Sequence, residues 1–507
     1  MKTPRLLSLL MLVLAAAAVV SPAGTPAGQF ADHGDIGSPE IAGSTTYDSS
    51  VQTYRMTGSG TNLWEASDQC QFAWNKLTGD FILRARVEFV GQGVEAHRKL
   101  GWMVRGSLDA DSAYADACVH GDGLTSLQFR RSKGAATEET RMSIRGGDVI
   151  QFERRGRDFI FSSAHYGEPF VSTTLTRVDL GDEVYAGLFL CAHNGKVKEE
   201  AVFKDIRIIR PARPDFRPYR DYIGSSLEVL NVFTGKLEQL HHSAEPFEAP
   251  NWMPDGRTLI YNISGAGPNK GLLRYHDLVT GAITPVETGA CIHNNNDHVL
   301  SFDGQRLGVS NHVPEEGNRS AIFTLPAAGG VPKRLTPNSP SYLHGWSPDG
   351  QWLVYTGGRN DKYDIYKIPA AGGDEVRLTT TPGLSDGPEF SPDGQYIYFN
   401  SARTGSMQLW RMKPDGSAQE QLTNDGFNNW FPHVSPDGKW IAFISFGADV
   451  KADDHPYYKQ TYLRLMPAGG GAARVIAYVY GGQGTINVPS WSPDSTRIAF
   501  VSNSDTW

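Results

Sequence analysis

A short turn that recurs along the C-terminal half constrains this chain more than any other feature. NWMPDG from Asn251, LSFDG from Leu300, GWSPDG from Gly345, EFSPDG from Glu389, HVSPDG from His433 and SWSPDS from Ser490 each lead into an apolar run such as LIYN or WLVYT. The turn aspartates Asp255, Asp303, Asp349, Asp393, Asp437 and Asp494 lie 48, 46, 44, 44 and 57 residues apart. Units of this length, each a few short strands, bury their faces only against one another, so six of them predict a six-bladed β-propeller over residues 226–507. In the PDG turn Pro presets φ, Asp bonds its neighbouring backbone and Gly takes a positive φ. Trp252, Leu300, Trp346, Phe390, Val434 and Trp491, just before the turns, are the expected core. The chain stops two strands into the sixth unit, and SLEVLNVFTGKLEQLH, near its start, reads as the hairpin that completes that blade and closes the ring.

Ahead of the repeat, residues 28–211 hold short β-rich runs such as DFILRARVEFV, SLQFRRS and AVFKDIRIIR between Gly, Asp and Asn turns. This pattern, almost without helical periodicity, predicts an antiparallel sandwich. The Pro- and Arg-rich stretch at 212–225 is the expected linker. Residues 1–23 carry Lys2 and Arg5, an apolar run from Leu6 to Val20 and then small residues, the pattern of a secretory signal peptide. No later stretch approaches the roughly 20 apolar residues of a membrane helix, so no integral span is expected in the mature protein. The formal charge of -8, without a basic run to offset it, argues against a nucleic-acid partner. Export permits a disulfide among Cys70, Cys118, Cys191 and Cys291, and one within the first half is an open expectation, although the spacing singles out no pair.

Two resemblances sharpen this reading. KLGWMVRGSLDADSAYADACVHGDG and VYAGLFLCAHN resemble the concanavalin-A-like jelly-roll domains often appended to secreted carbohydrate-active proteins. The SPDG turns, together with DIYKIPAAGG, QLWRMKPDG and the RLT or QLT endings, resemble the TolB-like (PD40) propeller family. The implied fold class is all-β, a jelly-roll β-sandwich followed by a six-bladed TolB-like propeller. Function is less constrained, because such propellers serve as envelope interaction platforms, as lyases for pectic oligosaccharides and as gating domains of peptidases. The peptidase reading fails here for want of a GxSxG elbow and a following α/β domain.

The chemistry should gather at the channel mouth opposite the turns, where each inner strand begins. Those positions hold Glu248, Asn295, Asn296, Asp297, Tyr342, Asp386, Asn429, Trp430 and Asn487, with His298, His344 and His433 slightly deeper. Any one of them also suits a loop cap; together they offer side chains that bond sugar hydroxyls, ligate a metal or stack on a sugar face. Glu248 and Asp386 belong to opposite blades and form the expected catalytic carboxylate pair, with His344 or His433 as proton carrier or ligand. Asn295, Asn296, Asp297, Tyr342, Asn429, Trp430, His433 and Asn487 are the expected substrate contacts, with Trp430 as the stacking platform. His298 and His344 share a repeat position in adjacent blades and read either as ligands of a divalent metal, the one cofactor to consider, or as core or loop histidines. The insertion GADVKADDHPYYKQ, from Gly447 to Gln460, reads either as a lid supplying Asp453, Asp454 and His455 or as a solvated acidic loop. The leading expectation is an exported protein that binds, or binds and cleaves, a saccharide at this mouth. The rivals are a non-catalytic scaffold for an envelope protein and a metal-dependent polysaccharide lyase.

Overall fold

The computed structural model describes residues 26–218 and 220–505. The expected signal peptide lies outside them. Apart from a single 3-10 turn at Pro314–Glu316, every regular element among the described residues is a β-strand. No helix among them is long and apolar enough to cross a membrane.

The SPDG turn works as the sequence suggests, with an added bond. Ser347 Oγ donates to Asp349 Oδ1 at 2.5 Å and accepts the Trp352 N–H at 2.9 Å, while Asp349 Oδ1 takes the Gln351 N–H. Ser391, Ser435 and Ser492 make the same Ser-to-Asp bond in their own units. Gly350, Gly394 and Gly438 sit at φ near +70°, and in the sixth unit, which lacks the glycine, Ser495 takes φ +61°. The side chains therefore satisfy the reversal's backbone groups, and the next strand leaves in register.

Six sheets form the propeller. Blades 1 to 5 are four-stranded and antiparallel, with inner strands Phe247–Trp252, Asn294–Leu300, Ser341–Trp346, Ser385–Phe390 and Asn428–Val434. Blade 6 is built from both ends of the repeat region. Ser225–Asn231 pairs with Leu237–Ser243 on one side and with Arg497–Asn503 on the other, and the Trp491 to Ile498 bridge adds the innermost edge. The N-terminal hairpin thus closes the ring. Two inner-strand tryptophans stitch neighbouring blades, Trp346 Nε1 donating to Val299 O and Trp491 Nε1 to His433 O.

The N-terminal region is a sandwich of two seven-stranded antiparallel sheets. Leu100, Trp102 and Leu127 of one sheet share a core with Leu83, Phe152 and Phe161 of the other. Its first sheet carries a buried ionic cluster: Asp68 bonds Arg130 at 2.8 and 2.9 Å and Arg105 at 3.2 Å, all three side chains being closed to solvent. The expected disulfide is not formed. All four cysteines are free and buried. Cys70, Cys118 and Cys191 pack as small apolar groups among Phe72, Trp74 and Phe189.

The sandwich is seated on the propeller. Ile82 and Ile209 meet Ile223, Tyr458 and Tyr480, and Val149 and Ala164 meet Tyr462, Val475 and Tyr478. Arg84 reaches the Tyr478 carbonyl and bonds Gln460, while Arg207 pairs with Glu228 at 2.6 Å. The stretch expected to be a linker lies against blade 5: the Ala212 N–H donates to the Tyr480 hydroxyl and the Ile223 N–H to the Tyr458 hydroxyl.

Asp68 provides a test of the sandwich. Replacing it by Ala strands two buried guanidinium groups, so Asp68→Ala should lower unfolding free energy by about 3–5 kcal/mol. Denaturant titration reads this directly, and a loss under about 1 kcal/mol would mean that water reaches the cluster.

Candidate functional site

At the mouth opposite the SPDG turns lies a cavity of about 1020 Å³. Its walls take Glu248 from blade 1, Asn295, Asn296 and Asp297 from blade 2, Tyr342 and His344 from blade 3, Asp386 from blade 4 and Asn487 from the segment entering blade 6. Local backbone explains this convergence. The inner strands of blades 1 to 5 change register at this level, between Glu248 and Asn251 in blade 1 and between Asp386 and Glu389 in blade 4, for example. In blades 1, 4 and 5 the bulge residue has a left-handed φ and precedes a proline: Ala249, Gly387 and Phe431, at φ +58°, +61° and +54°. A bulge re-aims side chains and ends regular pairing, and here it frees polar groups at the rim. A non-glycine residue in this conformation is strained, a cost that persists at sites the surrounding packing over-determines.

The polar groups form one network. Glu248 accepts from Asn296 Nδ2 at 3.0 Å and from the Tyr457 hydroxyl at 3.3 Å. Asp297 accepts from Asn295 Nδ2 at 2.8 Å and from Asn487 Nδ2 at 3.1 Å. His344 Nε2 lies 3.3 Å from Asp386 Oδ1, which also takes the Thr356 hydroxyl at 2.5 Å and the Gly387 N–H at 2.8 Å.

These environments separate the carboxyl groups. Burial pushes Glu248 up to about 7 from an ordinary 4.5. Burial also raises Asp297 to about 6, with Asp386 adding to the rise and His344 opposing it. For Asp386 burial acts upward too, but the His344 bond, the His344 and His455 charges and the Thr356 hydroxyl outweigh it and hold the group at about 2. Burial alone would lower His344, yet the Asp386 bond and the charges of Asp297 and Asp386 raise it. Carboxyl groups of widely different proton affinity therefore share one wall.

Four expected residues stand elsewhere. Trp430 is fully buried in the core of blades 5 and 6, because the Gly447–Gln460 insertion folds across it and the His455 ring meets the indole edge-on at 4.5 Å. The aromatic wall belongs instead to Phe431, whose ring stacks on His344 at 5.9 Å. Asn429 is spent on Ser445 of its own blade, on Gln408 of blade 4 and on Thr423 and Asp425 of the segment joining the two. His433 pegs blades together, with Nδ1 on Glu389 at 2.7 Å and Nε2 on the Ile486 carbonyl. His298 is enclosed against the Ile260 carbonyl and does not join His344. The expected two-histidine metal site does not fit this arrangement. Among the described residues no group of three or more His, Cys, Asp or Glu side chains is disposed to hold a metal ion.

The insertion supplies what the strand positions could not. Asp453, His455 and Tyr457 line the cavity, and His455 Nε2 lies 4.0 Å from Asp386 Oδ2. Tyr458, at φ +56°, turns the opposite way, towards Phe216 and the sandwich. Asn262 and Thr356 also reach the wall from the second strands of blades 1 and 3. Polar residues recurring seven positions after the turn aspartate, Asn262, Ser310, Thr356 and Asn400, were the signal for them.

Glu248 makes this site visible in stability. A carboxyl held above its ordinary value binds a proton in the fold that the unfolded chain has released, so stability falls as pH rises from about 4.5 to about 7. In Glu248→Gln that contribution disappears. Between those two pH values the variant should lose about 3 kcal/mol less than the parent in denaturant titrations, and identical losses would contradict the buried state of Glu248.

Comparison with known proteins agrees with this architecture. The TolB β-propeller domain (PD40) model matches residues 340–453. An uncharacterized protein of Agrobacterium fabrum is 44% identical over 279 residues, covering 55% of this chain and 92% of that protein. The solved structure of a putative TolB from Agrobacterium tumefaciens is 43% identical with a TM-score of 0.53, covering 56% of this chain and all of that one. The Tol-Pal system protein TolB of Bordetella pertussis is 29% identical over 134 residues, which are 26% of this chain and 29% of that protein. The repeat turns, the closed six-bladed ring and this relatedness together place the chain in the TolB-like β-propeller family.

Proposed function

We propose that this is an exported propeller protein whose mouth cavity binds a saccharide. One observation carries the reading: amide, carboxyl, imidazole and tyrosine side chains from blades 1 to 4 and the entry to blade 6 converge on a single cavity of about 1020 Å³. Sugars are recognised by planar polar groups that bond hydroxyls and by apolar faces, and Phe431 and Tyr342 add the latter. Export rests on the apolar run from Leu6 to Val20.

The same wall suits acid–base work on a glycosidic bond. Glu248, at about 7, keeps a proton to donate to a leaving oxygen, while Asp386, at about 2, stays ionised. A pair of carboxyls whose environments push them apart is the pattern of an acid and its charged partner. His344 orients Asp386 in this reading, because its Nε2 is already committed to that carboxylate.

A glycan array followed by product analysis tests the proposal. The parent should bind at least one glycan class, and Glu248→Ala and Asp386→Ala should each weaken that binding at least about tenfold, as loss of a charged hydrogen bond does. Binding to no glycan would remove the reading.

The likeness to a Tol-Pal system TolB supports a second reading, in which the mouth docks an envelope protein. A partner recovered from envelope extracts, with binding unaffected by loss of Glu248 and Asp386, would favour it.

A further inference from the structure

Tyrosines rim the mouth cavity, and they come in two pairs. On one side Tyr457, from the insertion, meets the ring of Tyr222 at 5.9 Å and 74°. Tyr222 belongs to the segment between Ile209 and Ser225 that joins sandwich to propeller, and Phe216 and Ile223 of the same segment hold the neighbouring Tyr458. On the other side Tyr342, in the inner strand of blade 3, and Tyr363, in its third strand, lie 6.4 Å apart and tilted by 38°. All four line the cavity, and none is closed to solvent; Tyr363 is 40% exposed. A Cβ added at Gly358 would stand 2.9 Å from the Tyr363 ring and 2.8 Å from Pro340, so a glycine there lets the ring lie against its own blade.

The pairs stand over different blades. Tyr457 bonds Glu248 of blade 1 while Tyr342 and Tyr363 belong to blade 3, so blade 2 lies between them, with Asn295, Asn296 and Asp297 on the wall. A pocket of about 300–1,000 Å³ encloses a drug-sized molecule. The cavity holds about 1020 Å³, so a single pyranose ring would leave most of it empty.

We propose that the mouth takes an extended saccharide chain gripped at two places, by Tyr222 with Tyr457 and by Tyr342 with Tyr363. This rests on the saccharide reading of the same site and adds to it the length of the ligand and the residues that select it. A sugar ring presents an apolar C–H face and a rim of hydroxyls; the faces suit tyrosine rings and the hydroxyls suit the amides and carboxyl of blade 2. Tyrosine gives contact area at low entropic cost, and rings already packed against one another lose still less on binding. A single sugar rests on one pair only. A chain engages both, and its second contact forms within a molecule already bound.

Calorimetric titration of the full chain with mono-, di-, tetra- and hexasaccharides tests this in three series: β-1,4-linked glucose, β-1,4-linked N-acetylglucosamine and α-1,4-linked galacturonate. In the series that binds, affinity should rise at least about tenfold from disaccharide to hexasaccharide. Tyr222→Ala and Tyr363→Ala should each weaken hexasaccharide binding about fivefold, and together they should flatten the rise with length. Tyr222→Phe and Tyr363→Phe keep the rings and should retain most of the affinity, which separates stacking from a disturbed fold. Equal affinity from monosaccharide to hexasaccharide overturns the extended chain and leaves the saccharide reading standing. A rise with length that survives both Ala substitutions overturns the tyrosine grip. Binding by no member of any series overturns the saccharide reading and this proposal with it.

Discussion

The pairing of Ser225–Asn231 with Arg497–Asn503 joins the two ends of the repeat region into one sheet, and most of the structure depends on it. Sharing the last blade between the two ends ties the ring shut, and without it Arg497–Asn503 would leave a row of backbone donors and acceptors open. Closure brings the six inner-strand starts around one channel. It also fixes where the sandwich must sit, because the strand ending at Ile209 is only a short segment away from Ser225. That segment runs across blade 5 and is tied to Tyr480 and Tyr458 on the way.

Once the ring is closed, burial sets the chemistry of the mouth. Glu248, Asp297 and Asp386 are the same kind of group at the same level of the channel, yet they differ in proton affinity. Asp386 has an imidazole, a hydroxyl and a backbone N–H directed at it, whereas Glu248 is met by uncharged groups, the Ser264 and Tyr457 hydroxyls and the Asn296 amide. The difference lies in the partners that the neighbouring blades supply, since desolvation raises all three. The strained bulges at Ala249 and Phe431 belong to the same device. They turn the strand starts inward, and the packed ring holds them in a conformation that a free chain would leave.

The insertion between the second and third strands of blade 5 links the two halves of the molecule. Adjacent residues there face opposite ways, Tyr457 towards Glu248 in the cavity and Tyr458 towards Ile82 and Ile209 of the sandwich. The sandwich therefore supports the loop that completes the mouth, and the placement of His455 and Tyr457 depends on a contact between regions far apart in sequence.

The repeat was legible in the sequence because its turns impose local rules: Asp recurs in every reversal, with Pro and Gly in most of them, and the spacing counts the blades. Strand position also named Glu248, Asn296, Asp297, Tyr342, His344, Asp386 and Asn487, residues that the structure gathers on one wall. Position could not say which way a side chain faces once an insertion covers it. Trp430 passed into the core under His455, while Phe431 took the aromatic wall; Asn429 and His433 were consumed by bonds within and between blades; and His298 was sealed against a carbonyl. The cysteines, permitted to pair, became apolar packing. The sequence by itself therefore determined the architecture, because turns and strand alternation are local. Tertiary structure alone decided the site's composition and proton affinities, because these depend on groups brought from different blades into a common low-dielectric space.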